Sequence, residues 1–273
     1  MPDSEITDLH LWLDFETSGL EIGRDRTLEV AWTITDNELR MLTPLRQRLA
    51  CIEPPGWPRT NCDGKLFDPR RDRHWDDPDF FDQRGQHGLV QKMHEDSGLR
   101  RDHFEAPPEA VLTHARHFER LYLDDLHEAK KRLGGSAFRV ILSGAGISHM
   151  DVYLLADLLP ERFPLLPNPD GSTGMAYWHF DTSTAGRVLG AGVADKLRHW
   201  LRDPECPFDL IACEGGQDLW NESGVVNDDN DTAEFDLTGA VPHRAVADVV
   251  WSLVDARLMR RIRQAPDLLT SRH

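Results

Sequence analysis

Three extended segments follow one another between His10 and Glu53 with too little chain between them for a crossover helix: HLWLDFE, TLEVAWTITD and LRQRLACIE. Strands joined this closely pair antiparallel, because a parallel connection needs a dozen or more residues. The first is an apolar run that ends in carboxylates, the second is rich in β-branched and aromatic residues, and the third alternates. Turn-prone Asp36-Asn37 closes the second strand. A sheet that begins this way needs cover, and the rest of the chain supplies helices for it.

Residues 54–88 break the pattern with Pro, Gly, Asp and Arg and no sustained period, which predicts a long surface insertion shaping access to a site. Residues 107–133 have apolar residues at helical spacing (Val111, Leu112, Ala115, Phe118, Leu121, Tyr122, Leu126), with Pro107 and Pro108 near the start. FRVILSG then predicts a buried strand, DVYLLADLLP a helix stopped by Pro160, and AYWHF a strand leading into the helix-capping run Asp181-Thr182-Ser183-Thr184. Residues 202–240 look loop-like and acidic, and HRAVADVVWSLVDARLMRRIRQ predicts a long final helix whose basic end suits its dipole. The order βββαβαβα argues one α/β domain over residues 1–273, with a mixed sheet, helices on its faces and insertions at 54–88 and 202–240.

Lys plus Arg number 31 and Asp plus Glu 47, a formal net charge of −16. That field repels a polyanion, so a nucleic-acid role requires a local basic rim or bound cations. Arg70, Arg71, Arg73, Arg100 and Arg101 are candidates for the rim, against the plainer reading of solvated loop charges. No apolar run approaches the ~20 residues of a membrane span, and MPDSEITD has no signal-peptide character, so a soluble cytoplasmic protein is expected. Cys51, Cys62, Cys206 and Cys213 lack CxxC spacing, which points to reduced structural thiols rather than a zinc ribbon or redox pair.

Three places concentrate acids in positions that chemistry can use. Asp14 and Glu16, two apart at the end of the first strand, share one sheet face, as a pair of solvated strand-end acids would or as a pair converging on a cation. Asp151 stands at the head of an apolar helix after a glycine-bearing turn, a place where a dipole-favoured first-turn acid is also common. His243 and Asp248 are five apart, about 500° of helix, so both face one site only if His243 sits at or before the first turn.

In their settings, these residues carry a resemblance. LWLDFETSGLEIGRDRTLEVAWTITD is similar to the first motif of the DEDD exonuclease superfamily, and most like that of oligoribonuclease. ILSGAGISHMDVYLLADLLPE resembles the second motif, with one extra residue between Ile147 and Asp151. HRAVADVV resembles the third in its histidine form (DEDDh), His-x4-Asp. KMHEDSGL (92–99) and YWHFDTST (177–184) are similar to two further oligoribonuclease segments, in family order, although Leu89 stands near the place of that family's tryptophan.

The resemblance implies an RNase H-like mixed five-stranded sheet flanked by helices. It implies Asp14, Glu16, Asp151 and Asp248 as ligands of two divalent ions, Mg²⁺ or Mn²⁺, with Asp14 bridging and His243 as general base. Thr17, Gly19, Leu20, His94, Ser97 and Tyr177 become candidate substrate contacts. His94 and Ser97 are equally readable as a surface histidine and a turn serine, and Tyr177 either as a residue reaching a partner subunit's site or as a core ring. The implied activity is 3′-to-5′ hydrolysis of single-stranded RNA or short oligonucleotides to nucleoside 5′-monophosphates by a homodimer. A proofreading-type DNA exonuclease and a non-catalytic nucleic-acid-binding domain are the alternatives.

Overall fold

In the computed structural model, which describes residues 7–19, 27–53, 86–106, 112–134, 138–147, 150–159, 179–189, 225–226, 232–233 and 241–264, the three opening strands form as expected. They are β1 (Thr7–Thr17), β2 (Thr27–Thr35) and β3 (Leu45–Glu53), each antiparallel to the next. On its other side β1 pairs in parallel with β5 (Phe138–Gly144), which pairs in parallel with β6 (Phe180–Asp181). The order 3-2-1-5-6, with β2 alone reversed, is the mixed sheet of the RNase H-like expectation. Three short strands extend it beyond β3: β4 (Leu112–His114) and β7 (Val225–Val226), both parallel to β3, and β8 (Thr232–Ala233), antiparallel to β7.

The helices are α1 (Gln86–Ser97), α2 (Leu99–Glu105), α3 (Ala115–Arg132), α4 (Asp151–Leu158), α5 (Thr182–Leu189) and α6 (Ala245–Gln264). Strand period two divides them between two faces. Leu9, Leu11, Leu13 and Phe15 of β1, with Val30, Trp32 and Ile34 of β2, pack on Phe118 and Tyr122 of α3 and Leu154 and Leu155 of α4. Trp12, Ala31 and Leu45 pack on Val246, Val250 and Leu253 of α6. Asp14 and Glu16 are in phase with Trp12, so the strand's own alternation aims them at the α6 side. The opposite face is pinned by Asp125 of α3, which accepts from Trp32 Nε1 at 2.8 Å and from Arg46 Nε and Nη2 at 2.7 and 2.8 Å.

Several sequence expectations change. The helix expected over 107–133 begins at Ala115, and Leu112 lies in β4, paired with Cys51 of β3. The backbone hydrogen bonds along β3 outweigh an apolar spacing that suits strand and helix alike. The segment 202–240 is not all loop, since β7 and β8 lie within it. α1 and α2, unread from the sequence, are separated by Gly98, whose φ of 76° a side chain would resist. Residues 86–88 of the expected insertion open α1, and 54–85 lie outside the described residues. Among the described residues no helix is long and apolar enough to cross a membrane.

Candidate active site

The acids gather where β1 ends. β5 must run close beside β1 to bring them together, and Gly144 allows it: a Cβ there would stand 2.9 Å from the Leu13 carbonyl oxygen. Beyond β5 the chain leads to α4, where Val152 N–H donates to Ile147 O at 3.3 Å. Asp151 therefore faces the end of β1, and its Oδ1 accepts from Phe15 N–H at 3.1 Å. No side chain caps α4; the Asp151 carboxylate is turned to β1.

α6 approaches from the other side of the strand end. Asp248 lies in its first turn, and His243 stands two residues before it, exposed, with φ 62°. That matches the requirement that His243 precede the first turn. A non-glycine residue in this region costs of order 1–3 kcal/mol and persists only where neighbours hold it. Donor atoms of Glu16, His243 and Asp248 all lie within 4.8 Å of one another.

Burial, reinforced by Asp151, Glu16, Asp248 and Glu29, holds the Asp14 carboxyl well above the usual carboxylate range. Burial also lifts Glu16, with Asp248, Glu29 and Asp151 adding to it and Arg244 opposing. Asp151 is pushed up to about 7 by burial, against the hydrogen bond from Phe15. Among the described residues Asp14 Oδ2 has no hydrogen-bond partner and is shielded from solvent. A site this rich in uncompensated acceptors calls for a cation.

His94 adds another acceptor. Only 2% exposed, its Nε2 lies 2.7 Å from the Thr17 carbonyl oxygen and so carries the proton, leaving the unpartnered Nδ1 lone pair 3.9 Å from Glu16 Oε2. The surface-histidine reading is thus corrected. Ser97, 7% exposed, donates to the His94 carbonyl and accepts from Leu99 N–H, so it serves the turn between α1 and α2. Thr17 is buried and donates to the Gly19 carbonyl at 2.6 Å, which shapes the turn after β1. Leu20, Tyr177, Arg70, Arg71, Arg73 and the Arg100 side chain lie outside the described residues, and exposed Arg101 pairs with Glu105 at 2.9 Å.

Two supporting residues escaped the sequence reading. Glu29 of β2, directly opposite Glu16 in register and 0% exposed, accepts from Arg244 Nη2 and from Ala245 N–H, both at 2.8 Å. A glutamate inside the apolar run TLEVAWTIT was the available signal, because a buried charge in a strand needs a partner.

The oxygen-rich donor set, with an imidazole and no thiolate, fits hard divalent ions such as Mg²⁺ or Mn²⁺, and the orphaned Asp14 oxygen fits the same conclusion. No protein-family model and no curated protein matches the sequence. Among solved structures it is similar to the zinc-bound form of an E. coli exonuclease I complex with single-stranded DNA (14% identity, TM-score 0.40, covering 96% of this chain and 42% of that one). It is also similar to exonuclease I of Methylocaldum szegediense (16% identity, TM-score 0.40, covering 94% and 41%).

Proposed function

We propose that this chain is a metal-dependent 3′-to-5′ exonuclease that hydrolyses single-stranded RNA or short oligonucleotides to nucleoside 5′-monophosphates. The observation that carries the reading is the convergence of Asp14, Glu16, Asp151 and Asp248, from three separate elements, beside His243. The resemblance of the same five residues to the DEDDh motifs supports it.

Asp14, Glu16, Asp151 and Asp248 would hold two divalent ions. When bound, such ions stabilise charge on the phosphate and assist both the entering and the leaving oxygen. Phe15 N–H orients the Asp151 carboxylate, and His94 Nδ1 lies 3.9 Å from Glu16 Oε2. His243, exposed beside Glu16 and Asp248, would accept a proton from the attacking water at a ring nitrogen. Release of a 5′-monophosphate leaves the shortened strand with a new 3′-hydroxyl, and the strand must advance by one nucleotide before the next cycle.

Product analysis on 5′-labelled RNA and DNA strands of graded length, with Mn²⁺, with chelator and with Asp14→Ala, tests the reading. Stepwise shortening from the 3′ end that requires metal and Asp14 is expected, faster on RNA. Faster loss of the DNA ladder makes the enzyme a DNA exonuclease, and a folded protein that cuts neither strand overturns the proposal. The homodimer belongs to the same reading, and light scattering checks it.

A further inference from the structure

We propose that Glu29 and Arg244 form a positioning pair that fixes His243 over the carboxylate cluster. The inference rests on His243 being the base of the proposed reaction. His243 precedes α6, is exposed and has a positive φ, so no helical hydrogen bond of its own defines where the ring stands. The two residues after it are held from outside the helix. Glu29 Oε2 accepts from Ala245 N–H, doing for α6 what a cap residue does locally, and its carboxylate grips the Arg244 guanidinium through Nε and Nη2. The remaining arm of Arg244, Nη1, donates to Asp102 Oδ2 of α2 at 2.6 Å. Gln47 Nε2, from β3, donates to Glu29 Oε1 at 2.5 Å and fixes the carboxylate in turn.

Glu29 and Glu16 are opposite each other in the β1–β2 ladder. The start of α6 is therefore referenced to the same rung as a proposed metal ligand, and the His243-to-Glu16 distance is set by two short links rather than by the whole fold. Glu29 adds a fully buried carboxylate directly opposite Glu16 in the ladder. Packing alone would favour an apolar side chain there. What Glu29 supplies instead is a fixed attachment for the residues next to His243.

The test measures kcat and KM for Glu29→Gln, Arg244→Gln and Asp102→Asn, each alone and combined with His243→Ala. Misplacing a proton acceptor by about 1 Å costs up to ~100-fold, so kcat in the first two is expected to fall about 10- to 100-fold with KM changed less than about twofold. Asp102→Asn, which removes only the outer arm at a 40% exposed side chain, is expected to lower kcat several-fold and is the folded variant if the inner pair proves indispensable. Combined with His243→Ala, each change is expected to add less than about twofold, since it acts through a ring no longer there. Equal losses in both backgrounds would mean a general structural role and overturn the proposal. Independently of activity, the Cα and Cβ chemical shifts of His243, which report its positive φ, are expected to move in Glu29→Gln and Arg244→Gln. Unchanged shifts in both overturn the proposal. Shifts that move in a protein that cuts no strand overturn the exonuclease reading instead and leave the positioning intact.

Discussion

Asp14 carries the sharpest conflict between stability and chemistry in the chain. Among the described residues one of its oxygens is shielded and unpartnered, and the charges that act most strongly on it are other carboxylates. Asp14→Asn is expected to end cleavage and, in chelator, to raise stability by about 1–2 kcal/mol, because a buried unpaired charge gives way to a neutral amide of the same shape. Thermal unfolding in chelator checks this, and a lower midpoint for the variant contradicts it. Mn²⁺ at 100 times Kd is expected to stabilise the wild type by about 2.7 kcal/mol, raising its midpoint, and to raise the variant's much less. His10 gives the pH dependence away from the acids. Burial holds its pKa below the ordinary value, against the opposing charges of Asp8 and Asp36, while Nδ1 bonds Ser143 Oγ at 2.9 Å and the ring stacks on Trp12. The folded protein then binds fewer protons than the unfolded chain, so the stability His10 contributes is full above about pH 6.5 and is lost as pH falls through the depressed folded value. His10→Gln should flatten that acid limb in a series of melts across pH, and an unchanged limb counts against the assignment.

Among the elements, β1 and β5 matter most, because their approach places Asp151 against Phe15. Gly144→Ala puts a Cβ 2.9 Å from the Leu13 carbonyl and 3.2 Å from Ile147 Cδ1, so one strand must move. The expected cost is about 1–3 kcal/mol of stability, with weaker Mn²⁺ binding by calorimetry because Leu13 adjoins Asp14. Wild-type metal affinity would show that the site tolerates the shift. The main strands and the last helix were legible because their patterns are long and one-sided: the first strand's alternation put Asp14 and Glu16 on one face, and the five-residue spacing placed His243 ahead of α6. Leu112 was misread because one apolar residue cannot distinguish a helix from three residues of strand when the deciding hydrogen bonds come from β3. His94 was left open between surface and site because its neighbours in sequence are polar, while what buries it is the end of β1 and the turn at Thr17.

Across the whole molecule, the sheet separates two tasks. On one face Asp125 joins Trp32 and Arg46 into a pin for α3, and on the other the carboxylates meet α6. Asp125→Ala strands a largely buried guanidinium and an indole N–H, and is expected to cost about 3–5 kcal/mol in denaturant unfolding while leaving Mn²⁺ affinity near wild type. A parallel loss of metal affinity would show that the two faces are coupled. Local periodicity was enough for the pairing of the opening strands and the shared face of Asp14 and Glu16, and the resemblance of the motifs named the five residues proposed for catalysis. The attachment of the start of α6 by Glu29 and Arg244, the burial of His94 near Glu16 and the close approach at Gly144 came from the folded molecule. Each of those depends on a contact between segments far apart in the chain, and no local pattern records which distant backbone or charge a side chain will meet.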